Sequence, residues 1–507
     1  MAVNLDGRSL TLEQVEAIAD GAECRLAAAA KEVVRASRAV VERAMADGRQ
    51  VYGVNTGFGH LARVGIPADK LDELQLNLIR SHAAGVGKPF SERSVRAILA
   101  LRINCLVRGH SGLRLATVQR MCEFLEHGIH PVIPRKGSVG ASGDLAPLAH
   151  LALTLIGEGE VFYKGKRCPT PSALRRAGLK PLRLEAKEGL ALINGTQVMT
   201  GVGTLALLKA ERLCTAADVI GTMSLEALMG SHHAFERAIH AARPQPGQVA
   251  SAANLRKLLR KSEIEKSHAD CGRVQDCYSL RCIPQVHGAV RDALRYVRGV
   301  LECEINSSTD NPMVFVQADR LVSGGNFHGQ PVSVALDHLG TASCSLATIS
   351  ERRIERLLNP DLSRLPAFLA HDPGLHSGFM LAHVTAASLV SENKILAHPA
   401  SVDTIPTSAA KEDHVSMGAH AARKAARIVD HVGTVLGIEA LCSAQALDMH
   451  RPLEAAVAVE SARAAFRRTV PHMKKDRVLA GDIDKAKRFI ESGKLRAAAE
   501  KVCGELK

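Results

Sequence analysis

Tryptophan is absent from these 507 residues, tyrosine occurs four times, and aromatics together make up 3% of the chain. So small a supply excludes a core built on aromatic packing. It leaves each tyrosine as a candidate for chemistry rather than bulk, and Tyr52 and Tyr278 both fall in unusual local sequence. The twelve cysteines form no CxxC pair and no Cys/His array at ligand spacing. That pattern argues against a zinc module, a catalytic metal centre and a disulfide scaffold. Free thiols in a reducing, cytoplasmic compartment are the expectation. No apolar run is long enough to span a bilayer, and no apolar segment follows a basic start, so neither a membrane nor a leader is expected. Internal repeats and low-complexity linkers are missing too. The formal charge is +13, yet Lys and Arg are dispersed along helical stretches without an RNA-binding aromatic motif or a finger. A solvated basic surface that draws in an anionic carboxylate fits better than nucleic acid.

What is present is mostly helical periodicity, with 46% apolar residues, ample for a core. Residues 8 to 48 read as helix, opened by a Thr11/Gln14 capping box and stopped at Gly48. A glycine-rich loop carries Tyr52. Helix resumes over 69 to 86 and again, broken at Gly109 to Gly112, over 91 to 128. Val161-Phe162-Tyr163 reads as a short strand. From about 195 the pattern is almost all helix: Val290, Leu294, Val297 and Leu301 mark one buried face, and Ile428, Val432, Val435 and Leu436 another. The expected fold is mainly α. An N-terminal lobe over 1–190 carries the central loop; an extended helical bundle and a basic helical tail fill 191–507.

The central loop is Gly137-Ser138-Val139-Gly140-Ala141-Ser142-Gly143-Asp144-Leu145-Ala146-Pro147. Its local reading is a tight turn into a helix, with Asp144 as cap and Pro147 in the first turn. The triplet inside the turn adds a chemical option. A strongly bent backbone brings the Gly143 nitrogen onto the Ala141 carbonyl carbon. Ring closure and loss of two waters convert Ser142 to a dehydroalanine within a methylidene-imidazolone, an electrophile no ordinary side chain supplies.

This stretch resembles the signature of the aromatic amino acid ammonia-lyases. The resemblance continues, in family order, through YGVNTGFG (52–59), NLIRSHAAGVG (77–87), INGTQ (193–197), QDCYSLRC (275–282), EINSSTDNP (304–312), SGGNFHGQP (323–331) and the run from GLHSGFM to EDHVSMG (374–418). It implies a prosthetic group, 4-methylidene-imidazol-5-one, formed autocatalytically from Ala141, Ser142 and Gly143, with no metal or diffusible cofactor. It also implies roles. Tyr52 is the base for the β-proton, although tyrosine is a poor base at its ordinary pKa of about 10. Asn194 and Tyr278 lie beside the prosthetic group. Arg281 clamps the substrate carboxylate through its two parallel donors, against the alternative of a surface salt bridge. Gln275 lies near the substrate, sharing a face with Tyr278 and Arg281 if the segment is helical. Phe327 supplies an apolar wall.

Within the resemblance, Ser81-His82 matches the branch acting on histidine rather than on phenylalanine or tyrosine. A polar ring needs polar partners, because a buried imidazole nitrogen left alone is costly. His82 and Glu412 are the candidates. Gln330 stands where relatives commonly have Glu, and Lys411 could pair with Glu412. The implied reaction is elimination of ammonia from L-histidine to trans-urocanate, the first step of histidine degradation. An aminomutase, a lyase for another aromatic amino acid, and a non-catalytic helical scaffold are the alternatives. The implied assembly is a homotetramer with composite sites.

Overall fold

The computed structural model describes residues 2–272 and 274–507. Thr11 opens the first helix, Leu12–Ala19, and its hydroxyl accepts the Gln14 N–H at 3.2 Å while Gln14 Oε1 accepts the Thr11 N–H at 2.9 Å. That is the capping box the sequence predicts. The single helix expected over 8–48 is instead two, Leu12–Ala19 and Ala28–Ala46. Gly21, at φ +109°, turns the chain between them, and the strands Val3–Leu5 and Cys24–Leu26 pair in parallel. Strands of three residues are too short for alternation to register in a sequence.

Further on, the helices Glu92–Leu106 and Leu115–His127 part at the expected glycines. The expected strand is present as Glu160–Tyr163, between Ile129–Pro131 and Lys166–Pro169. Long helices then dominate: Gln197–Ala227, Ile283–Glu304, Gln330–Leu358, Met380–Leu396 and Gly418–Met449. The residues of both predicted apolar faces are buried, Val290 to Leu301 and Ile428 to Leu436 alike. Each such side chain contributes about 1.5–3 kcal/mol. The tail is helical as well, at Val457–Arg467, Ala480–Glu491 and Lys494–Cys503. The fold is therefore mainly α, at 60% helix. No helix among the described residues is long and apolar enough to cross a membrane.

The chain groups into two compact units. The first comprises Met1–Leu205, Arg298–Asp337 and Pro399–Arg423; the second comprises Ala206–Val297, His338–His398 and Lys424–Lys507. All the short sheets belong to the first unit, including the antiparallel pair Val86–Pro89 with Pro134–Lys136 that leads directly into the central loop.

Candidate active site

The central loop is pinned along its whole length. Ser138 Oγ accepts the Gly140 N–H at 3.1 Å and donates to the Gly143 carbonyl and to Asp144 Oδ1, both at 3.2 Å. Ser416 Oγ donates to the Gly140 carbonyl at 3.0 Å, and the Met417 N–H reaches the Val139 carbonyl at 2.8 Å. Ala141 packs into a small apolar cluster with Val415 and Met417. On the other side, the Asp144 N–H donates to the Gly195 carbonyl at 2.7 Å, and the Gly195 N–H to the Ser142 carbonyl at 3.3 Å. Gly143 lies at φ +74°, and a Cβ there would fall 2.1 Å from the Gly195 oxygen. Only glycine fits, by conformation and by space.

Asp144 sits at the N-cap position of Leu145–Leu155 but makes no side-chain cap bond to that helix. Its Oδ2 accepts the N–H groups of Val198 and Met199, at 3.0 and 2.9 Å. The carboxylate thus caps Gln197–Ala227 and bolts the loop to it, which corrects the local cap assignment. Gly329 and Gly418 both lie against Met199 and the Ser416 hydroxyl. The helices Leu145–Leu155, Gln197–Ala227, Gln330–Leu358 and Gly418–Met449 therefore all begin beside the loop. Four positive dipole ends favour electron density arriving there.

Burial of Asp144 pushes its carboxyl up to about 7, against the pull of its three donors. A folded-state value above the ordinary one means that the folded chain holds a proton the unfolded chain has released. Asp144 thus contributes stability that is fully present below about pH 4 and lost as pH rises through about 7. In Asp144→Asn, whose amide can keep the Val198, Met199 and Ser138 contacts, this decline is expected to vanish. Urea midpoints of parent and variant should diverge in slope by about 1 kcal/mol per pH unit between about pH 4 and 7. Parallel curves would contradict the assignment.

Ser142 Oγ donates to Glu412 Oε1 at 3.2 Å, and Thr407 Oγ1 donates to Glu412 Oε2 at 2.6 Å. Both carboxylate oxygens are thus taken by hydroxyls, and no Lys411–Glu412 ion pair occurs among the described residues. Glu412 projects from a short turn closed by the Thr407–Glu412 bridge. Ser408, Ala409 and Ala410 all adopt left-handed backbone in that turn, at φ 52°, 51° and 60°. Each costs about 1–2 kcal/mol. The Tyr52 loop meets this turn, since a Cβ on Gly59 would lie 2.8 Å from Ser408 Oγ. Tyr52 is half-buried, its oxygen accepting the Gly59 N–H at 3.2 Å.

His82 ends the helix Leu71–His82. Its Nδ1 lies 2.9 Å from the Leu78 carbonyl. A carbonyl only accepts, so Nδ1 carries the proton and Nε2 presents a lone pair. Burial lowers the His82 pKa, opposed by the Leu78 carbonyl and by the Glu412 charge. The Glu412 charge is thus felt at His82, and Glu412 itself meets Ser142.

Asn194, 3% exposed, caps the C-terminus of Glu188–Ile193 immediately before Gly195. Phe327 is half-buried in the loop before Gln330–Leu358. Gln330 Nε2 donates to the Ser401 carbonyl at 3.2 Å. A glutamate there could not, which gives the departure from Glu a local reason.

The second unit holds the remaining candidates. Tyr278–Arg281 is one helical turn leading to Ile283–Glu304, and the Arg281 guanidinium lies 4.8 Å from the Tyr278 ring centre. Gln275 lies ahead of this turn, outside any helix or strand, so it does not share a helical face with the other two. Arg281 makes no ion pair among the described residues, and its buried Nε–H has no protein acceptor. No salt bridge of Arg281 is thus present among the described residues. Tyr278 is 71% exposed.

Residues 10–468 match the family described as aromatic amino acid lyase. This chain belongs to that family. It is 57% identical over 501 residues to a histidine ammonia-lyase of Anaeromyxobacter dehalogenans, covering 97% of this chain and 99% of the relative. Among solved structures it resembles a histidine ammonia-lyase from Trypanosoma cruzi, with 45% identity, TM-score 0.92, and coverage of 99% and 96% of the two chains. A tyrosine aminomutase from Streptomyces globisporus is also similar, at 39% identity, TM-score 0.94 and full coverage of both chains.

The aromatic amino acid lyase motifs pointed to Ser142, Glu412, His82 and Asn194; in the first unit Glu412 meets Ser142, and Asn194 precedes the Gly195 that pairs with the loop. They did not point to Ser138, Ser416 or Thr407, whose hydroxyls hold Gly140, Gly143 and Glu412. Ser138 and Ser416 lay inside the quoted motifs, where small size was the visible property. Thr407 lay inside the quoted run 374–418 as well, where nothing singled it out.

Proposed function

We propose that this chain eliminates ammonia from L-histidine to give trans-urocanate, as a carbon–nitrogen lyase at the first step of histidine degradation. The observation that carries the reading is Glu412, whose carboxylate takes the Ser142 hydroxyl at 3.2 Å and whose charge acts on His82. Both present acceptors, which suit the N–H groups of an imidazole ring. An apolar phenyl ring would leave them unpaired.

The loop suits the expected prosthetic group: small residues, a Gly143 with no room for a side chain, and hydrogen bonds on both flanks of Ala141-Ser142-Gly143. When formed, 4-methylidene-imidazol-5-one supplies an electrophilic carbon that captures an amine. The chain's own residues do the rest. Arg281 holds the substrate carboxylate, and Gln275 and Phe327 confine the substrate. His82 and Glu412 orient the ring; Tyr52 takes the β-proton. Tyr278 and Asn194 line the reacting centre. The helix N-termini around the loop favour the charge that arrives as the amine leaves.

The test compares turnover of L-histidine, L-tyrosine and L-phenylalanine by the parent and by His82→Leu. The parent is expected to prefer L-histidine. The variant is expected to raise the KM for L-histidine about 5- to 10-fold, the cost of one hydrogen bond, with melting temperature near that of the parent. Unchanged KM and unchanged preference would make His82 structural.

We also propose a homotetramer. Leu381, Val384 and Ile395 on Met380–Leu396 are each more than half exposed. Packing of equivalent helices would cover such a face. The described cysteines are all free thiols, in keeping with a cytoplasmic location.

A further inference from the structure

Beneath Asn194 lies an ion pair with no access to solvent. Lys187 and Asp310 both have fully buried side chains, and Lys187 Nζ donates to Asp310 Oδ2 at 3.2 Å. Lys187 also adopts left-handed backbone, at φ +74°, as it opens the helix that ends at Asn194. Burial lowers its pKa, opposed by the Asp310 charge. A buried ion pair is a poor way to gain stability, because a hydrophobic pair of the same volume does as well or better. Its presence asks for another use.

The use is visible at the other carboxylate oxygen. Asn194 Nδ2 donates to Asp310 Oδ1 at 3.3 Å and to the Asn311 carbonyl at 2.8 Å. The Asn311 N–H donates to the same Oδ1 at 2.7 Å, fixing the carboxylate in turn. Both N–H bonds of the Asn194 amide are therefore spent on acceptors of the 310–311 segment. No described group donates to its Oδ1. A carboxamide held this way cannot flip, and it presents only an acceptor.

We propose that Lys187 and Asp310 are positioning residues that lock the Asn194 carboxamide with its oxygen directed away from the pair, so that Asn194 acts as an acceptor for the N–H groups of the substrate's amine. This rests on the reading of the chain as an amino acid ammonia-lyase. Neither Lys187 nor Asp310 touches the substrate; each acts through Asn194. Lys187 donates to Asp310 Oδ2, and the opposite carboxylate oxygen accepts from Asn194. An amide at 310 can donate as well as accept, so it would no longer oblige Asn194 to keep its N–H groups on the 310–311 segment.

The test is a double-mutant cycle between Asp310→Asn and Asn194→Ala, read as kcat and KM for L-histidine, with intact mass reporting the state of the Ala-Ser-Gly triplet. Asp310→Asn is expected to lower kcat about 30- to 100-fold with KM within about threefold, the pattern of an interaction that matters for the reacting centre. In the Asn194→Ala background the same change should alter kcat by less than about threefold, because the group it acts through is gone. Kcat retained in Asp310→Asn, or losses that multiply in the double mutant, would overturn the proposal. Should Asp310→Asn fail to fold because Lys187 is left unpaired, Lys187→Met with Asp310→Asn removes both charges and is read in the same way. Failure of that variant to fold would make the pair structural and end the proposal. A parent that does not turn over L-histidine would instead defeat the ammonia-lyase reading, so the two failures are distinct.

Discussion

Ser142→Ala is expected to reduce turnover of L-histidine by about 10³-fold or more, which corresponds to about 4 kcal/mol in the barrier. Ser142 is the one residue of the triplet with a hydroxyl to lose. Without it the ring can close but no methylidene carbon results, and the ammonium must leave uncaptured. The fold should survive. The Ser142 contacts to the Gly195 N–H run through its backbone carbonyl, which alanine keeps. The hydroxyl gives up one bond to Glu412, at 3.2 Å. Loss of that bond costs about 1 kcal/mol. The measurement pairs kcat with intact-protein mass. The parent should be lighter than its sequence by two waters, and the variant should not show that loss. Near-parental turnover in Ser142→Ala would remove the electrophile from the account.

Mixing two inactive variants should restore activity. Tyr52→Phe and Arg281→Ala are each expected to lose about 10²–10⁴-fold in kcat or kcat/KM, as general-base and clamp variants do. If one site draws Tyr52 from one chain and Arg281 from another, randomly mixed tetramers contain intact sites. Each position is then filled correctly with a probability of one half, so recovery approaches about a quarter of parental activity. The structure gives a reason to expect this. Tyr278, beside Arg281, is 71% exposed on a single chain. A tyrosine lining a reacting centre should be covered in the working assembly. A stable, fully active monomer would end the tetramer proposal; a tetramer without recovery would place Tyr52 and Arg281 on the same chain.

The helices were legible because their apolar residues repeat with the helical period, and the Val290 and Ile428 faces are buried as that period requires. The close approach at Gly143 was legible because a run of small residues leaves room for backbone against backbone, here the Gly195 carbonyl. Asp144 shows where legibility stops. Its place at a helix start suggested a cap for that helix, yet its carboxylate goes to Val198 and Met199. Local sequence ranks nearby partners and is silent on partners more than fifty residues away. The turn bearing Glu412 was hidden for another reason. Left-handed backbone normally announces itself through Gly or Asn, and here Ser408, Ala409 and Ala410 adopt it. The surrounding structure imposes that conformation against local preference, as happens where a side chain must be aimed. Lys187 was hidden because a lysine before an apolar run reads as a solvated helix end, and its partner Asp310 lies 123 positions later.

The most direct measurement is incubation of the purified chain with L-histidine while near-ultraviolet absorbance and released ammonia are followed together. The account predicts trans-urocanate and ammonia appearing in equal amounts, with no such signal from Ser142→Ala. Absence of urocanate, or an isomeric amino acid formed with the ammonia retained, would contradict it.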